Sequence, residues 1–116
     1  MNEVCKVTDC SVIKRELTIK EKVQVAFADV PMMMQVVQGE SGFRQFNKKG
    51  KPLMSTTSDV GVMQLNIVHW KEARKLGLDI FNNVDDNIKM GRIVFERQGL
   101  KAWMFYKYKL SKRLST

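Results

Sequence analysis

The chain is poor in the residues that most often build special chemistry. It has two cysteines, two prolines and one histidine in 116 residues. Both cysteines, Cys5 and Cys10, lie near the start without a histidine beside them, and His69 is the only imidazole. A closed zinc site needs more ligands than that, so no metal and no cofactor is expected. A local disulfide in an oxidising compartment and an unpaired couple both remain open for them, and neither implies catalysis. No apolar run approaches the roughly 20 residues that span a bilayer, so no transmembrane segment is expected. The first ten residues lack the apolar stretch of about 7–15 residues that marks a secretory signal. Acids are missing from two places. The stretch 41–58 holds Arg44, Lys48, Lys49 and Lys51 without an acid, and 101–116 holds Lys101, Lys107, Lys109, Lys112 and Arg113 without one. That tail supplies five of the eight net positive charges, a balance that favours an anionic partner such as an acidic polymer. No nucleic-acid motif accompanies it, so nucleic acid is not the expected partner.

What is present reads as one ordinary globular domain, 44% hydrophobic and 28% charged, expected to be monomeric. Residues 1–10 read as a poorly ordered segment, 11–110 as the domain and 111–116 as a basic tail. A helical pattern starts at Ser11. Ile19, Val23, Ala26, Phe27 and Val30 then form a clean helical face, and Thr18 with Glu21 offers a capping box for a helix of about 19–28. Asp29-Val30-Pro31 breaks it, and Pro31 opens an apolar helix to Glu40. The stretch at about 43–58 lacks a helical period and reads as an irregular loop or short hairpin turning near Lys49-Gly50. Gly61 leads into a helical segment whose Leu65, His69, Ala73 and Leu76 share a face, with Gly77 as a stop. On that face His69 reads as a satisfied core residue. A last helix covers about Val84–Gln98, with Ile88, Gly91, Val94 and Phe95 inward and Gly99 ending it. Residues 100–110 suit either a short helix or an extended segment. The eight methionines read as core packing.

Glu40 is the residue that invites chemistry. Met33, Val36, Val37 and Glu40 recur at helical spacing, which sets a carboxylate in line with an apolar stripe. It sits at the negative end of the helix dipole, with no Lys or Arg within three residues on either side. Desolvation and dipole both push towards a carboxyl that holds its proton near neutral pH.

Three pieces stand in fixed order: Glu40-Ser41-Gly42-Phe43, then Gly61-Val62-Met63-Gln64-Leu65-Asn66, then Asn87-Ile88-Lys89-Met90-Gly91. Their order and separation resemble the lytic transglycosylases and goose-type lysozymes of glycoside hydrolase family 23, over roughly residues 20–103. The resemblance implies a mainly α, α+β lysozyme-like fold that cuts peptidoglycan between N-acetylmuramic acid and N-acetylglucosamine. Glu40 matches the single catalytic acid, which protonates the leaving oxygen and then serves as base. In the transglycosylase outcome the muramyl C6 hydroxyl attacks the anomeric carbon and leaves a 1,6-anhydro end. In the goose-type outcome water attacks. Neither needs a covalent carboxylate partner, in keeping with the lack of any acid between Glu40 and Asp59.

By the same resemblance, Ser41 and Gln64 match substrate-contacting positions and Met63 lines the cleft floor. Asn66 suits a substrate contact or a helix N-cap, Phe43 a contact or a core aromatic, and Asp59 a water-orienting acid or a turn residue, the turn being favoured. The family's Ala-Tyr-Asn-x-Gly step, whose Tyr reaches the acid, is replaced by Ala102-Trp103-Met104-Phe105-Tyr106-Lys107-Tyr108, so Tyr106 or Tyr108 would take that role without a matching motif. The expected activity is therefore a lytic transglycosylase acting on wall glycan. A hydrolytic lysozyme and a non-catalytic glycan-binding module of the same fold are the alternatives. A phage particle, a secretion or conjugation apparatus, or a trimmed precursor would each bring such a chain to the wall.

Overall fold

Thr18 starts the first helix as the capping-box pattern requires. Its Oγ1 accepts from the Glu21 N–H at 3.1 Å, and its own N–H donates to Glu21 Oε1 at 2.8 Å. The computed structural model describes residues 16–103, and in it this helix, α1, runs Ile19–Ala26. Cys5, Cys10, Tyr106, Tyr108 and the basic tail lie outside the described residues. The second helix, α2, runs Met32–Glu40 and buries Met33, Val36 and Val37, the apolar stripe that leads to Glu40. It stops where Gly42 and Phe43 take left-handed backbone angles of +65° and +60°.

The stretch after α2 folds as a run of short antiparallel pairings. Asn47 Oδ1 accepts from the N–H groups of Lys49 and Lys51 at 2.8 and 3.1 Å, which closes a turn beneath the Phe46–Pro52 bridge. Leu53 then bonds to Gln45 on one side and Gly61 on the other. Next come two strands, β1 (Asp59–Val60) and β2 (Leu65–Asn66), paired antiparallel with Asp59 opposite Asn66 and Val60 opposite Leu65. The turn between them is Gly61–Gln64.

Here the structure departs from the helical face expected through Leu65, His69, Ala73 and Leu76. Gln64 has a φ of +50°, Leu65 and Asn66 pair as a strand, and only then does a 3-10 turn, Ile67–His69, lead into α3, Trp70–Lys75. Of that face Leu65 and Ala73 are buried, Leu76 is exposed and His69 faces a cleft. Hairpin pairing won over local helical period. Gly77, at φ +76°, does end the helix as expected.

The longest helix, α4, runs Val84–Gln98. Asn83 caps its start by accepting from the Asp86 N–H, and Gly99 at φ +71° ends it. It is the spine of the core: Ile88, Met90, Gly91 and Val94 are buried together with Val23 and Phe27 of α1 and its C-cap. Phe27 meets Phe95 edge-on with centroids 6.0 Å apart. Arg92 lies over both rings, at 5.4 and 5.2 Å, and pairs with Asp29 at 2.8 Å and Glu96 at 2.6 Å. Its guanidinium holds the Asp29 carboxyl below the usual carboxylate range. The chain is thus a mainly α, α+β domain with one small sheet among the described residues. No helix among them is long and apolar enough to cross a membrane.

Gly91 shows why α4 carries a glycine in its middle. A Cβ there would lie 2.5 Å from Met63 Cγ and 2.9 Å from its Cε, and Met63 is fully buried. Gly91→Ala is expected to cost about 1–3 kcal/mol through overpacking, despite the better helix propensity of Ala. Urea denaturation reads this directly, and a stabilised variant would contradict the packing described.

Candidate active site

Turns normally leave backbone polar groups to solvent, yet Gly61, Val62 and Met63 are buried. Every N–H and C=O of Val62 and Met63 must then find a partner inside the protein. Each finds a side chain from a different part of the fold. Gln45 Oε1 accepts from the Val62 N–H at 3.0 Å, and Ser41 Oγ donates to the Val62 carbonyl at 2.6 Å. Asn87 Oδ1 accepts from the Met63 N–H at 2.8 Å, and Trp103 Nε1 donates to the Met63 carbonyl at 2.7 Å. Gln45 and Asn87 use their amide nitrogens as well. Both reach the Ile80 carbonyl at 2.9 Å, and Asn87 also reaches Val60 at 3.0 Å. Gly61 has no room for a side chain: a Cβ would lie 2.2 Å from Asn87 Nδ2 and 2.7 Å from the Gln45 amide.

This clamp sets the geometry of the candidate site. Ser41 follows Glu40 directly, so its bond to Val62 ties the end of α2 to the turn that carries Gln64. Gln64 in turn donates from Nε2 to the Gly61 carbonyl at 3.0 Å. Glu40 and Gln64 come together at a small cleft, which Asp59, Asn66, His69 and Trp103 also line.

Asp59 is firmly held in that cleft. It is nearly buried and takes hydrogen bonds from the hydroxyls of Ser55 and Thr57 and from Asn66 Nδ2 at 2.9 Å. Asn66 also caps the following 3-10 turn by accepting from the Val68 N–H. His69 closes that turn beside the Glu72–Arg97 ion pair. Burial pushes the His69 imidazole below its usual range, Arg97 adds to this, and Glu72 opposes it. No cluster of three metal-ligating side chains occurs among the described residues.

The sequence-derived site residues distribute unevenly. Glu40, Gln64 and Asn66 line one cleft. Ser41 stands beside it but is buried, its hydroxyl committed to Val62 and to the Phe43 N–H. Met63 does not line the cleft. Its side chain packs under the turn against Gly91, because the clamp turns it inward. His69, expected in the core, lines the cleft instead, and Asp59 joins Glu40 there as a second carboxylate. Gln45 was not singled out by the sequence; a buried amide inside a polar loop leaves no periodic signal. Tyr106 lies outside the described residues.

No protein-family model matches the chain, and no curated protein and no solved structure matches it. A functional reading therefore rests on these residues and their geometry.

Proposed function

We propose that the chain is a peptidoglycan lytic transglycosylase with Glu40 as acid and then base. The observation that carries this is the joining of Glu40 and Gln64 at one cleft through the buried Ser41–Val62 bond. In the first step the Glu40 carboxyl gives its proton to the glycosidic oxygen as the C1–O bond breaks. In the second the muramyl C6 hydroxyl bonds to C1 and its proton passes to the Glu40 carboxylate. Gln64 supplies a fixed amide beside the acid, suited to a sugar hydroxyl or N-acetyl group. The basic residues Arg44, Lys48, Lys49 and Lys51 suit an anionic, sugar-rich polymer. Incubation with purified sacculi tests the proposal. Falling turbidity supports it, and a suspension that stays turbid with folded protein contradicts it.

One observation favours a second reading, the hydrolytic one. Asp59 lines the Glu40 cleft and is held by three side-chain donors, an arrangement fit to orient an attacking water. On that reading Asp59→Asn lowers the yield of released muropeptides by about 10²-fold or more. On the transglycosylase reading the loss stays below about tenfold and reflects only the disturbed Ser55–Thr57–Asn66 network. Product chromatography of the variant separates the two.

A further inference from the structure

His69 is a polar group in a position that its sequence pattern does not explain. Among the described residues it is the only histidine, it lines the cleft that holds Glu40, and it is neither exposed nor in the core. No hydrogen bond from either ring nitrogen to another described residue occurs. Its backbone, by contrast, is anchored on both sides. Asn66, itself bonded to Asp59, caps the 3-10 turn that His69 ends. Trp70, the next residue, donates from Nε1 to the Leu65 carbonyl at 2.9 Å and packs edge-on against Phe81 at 4.8 Å. The imidazole is therefore held at the cleft by anchored neighbours while its own donor and acceptor are uncommitted among the described residues.

We infer that His69 is a glycan-contacting residue of this cleft, pairing its two ring nitrogens with a hydroxyl or N-acetyl group of the bound sugar. This rests on the peptidoglycan reading and deepens it. A neutral imidazole presents one N–H and one lone pair, the combination that an uncharged hydroxyl or amide can satisfy. Burial holds it below its usual range and so neutral at pH 7. Burial and Arg97 disfavour the cation, against the pull of Glu72, while Glu40 and Asp59 stand across the same cleft. At acid pH the protonated ring gains a donor and loses its acceptor, so its contribution to binding declines there.

The test compares His69→Ala and His69→Gln with the wild-type chain on purified peptidoglycan. His69→Ala is expected to raise KM about fivefold, the worth of one neutral hydrogen bond, with the loss in KM rather than in kcat. Glutamine keeps a donor and an acceptor, so His69→Gln recovers most of the loss at pH 7. As the pH falls far enough below the usual imidazole range to protonate the ring, the advantage of wild type over His69→Ala shrinks, whereas that of His69→Gln over His69→Ala does not. An unchanged KM in His69→Ala, a glutamine variant no better than alanine in a folded protein, or a loss confined to kcat overturns the assignment. Wild-type chain that leaves sacculi intact contradicts the glycosidase reading alone. The same variants are then read by calorimetric binding of a β-1,4-linked N-acetylglucosamine oligomer. There, about fivefold weaker binding by His69→Ala with recovery by His69→Gln supports the assignment, and equal or absent wild-type binding overturns it.

Discussion

Glu40→Gln should cut the release of soluble muropeptides from purified sacculi by roughly 10²–10⁴-fold, the usual worth of a positioned general acid and base. Glutamine keeps the shape and the hydrogen-bonding capacity of the side chain but neither gives nor takes a proton at working pH. The fold should survive. The apolar side chains that anchor α2 are Met33, Val36 and Val37, and the Ser41 hydroxyl ties its end to Val62. Stability within about 1 kcal/mol of wild type is expected in urea. A folded Glu40→Gln chain that digests sacculi at the wild-type rate would remove Glu40 from the chemistry altogether.

Asn87→Ala should be the most damaging single change outside the cleft. The side chain is fully buried and makes three hydrogen bonds to backbone groups of Val60, Met63 and Ile80. Removing it strips the Met63 N–H of its acceptor and takes a donor from the Val60 and Ile80 carbonyls. It also opens a void beneath Gly61. Orphaned buried groups cost about 1–3 kcal/mol each, though Ile80 keeps its bond from Gln45. A total of about 2–4 kcal/mol is expected, or a melting point lower by about 10–30 °C. Asn87→Asp should fare no better, because it keeps the acceptor but loses both donated bonds and buries a charge. Activity should fall with stability, since Gln64 rides on the same turn. A melting point within a few degrees of wild type, on the scale of about 4–8 °C per kcal/mol, would contradict the clamp.

The same residues show what local pattern reveals and what it hides. The bounds of α4 were legible because Asn83 and Gly99 are local signals, a cap and a left-handed stop. The start of α1 was legible for the same reason, through Thr18 and Glu21. Only the family resemblance, not any local pattern, suggested Glu40, Gln64 and Asn66 as one group, and the three line one cleft. Roles within the motifs were less legible. Met63 turns inward because Asn87, 24 residues later, takes its N–H. Gln45 matters because it reaches Val62 and Ile80, 17 and 35 residues on. His69 shares a helical face only if the helix begins before it, and the β1–β2 pairing delays that start. Long-range pairing of buried polar groups decides each of these, and no window of neighbouring residues contains it. The Asn87–Gly91 step gains a physical meaning from this: one residue satisfies the turn and the other makes room for Met63.

Mass spectrometry of the muropeptides that wild-type chain releases from purified peptidoglycan tests the central claim most directly. The account predicts 1,6-anhydro-muramyl ends, each one water lighter than the corresponding reducing end, formed by the chain and not by Glu40→Gln. Reducing ends in their place would assign the cleft to hydrolysis with Asp59 orienting the water. No released muropeptide from folded wild-type chain would contradict the claim that the Glu40 cleft cuts wall glycan.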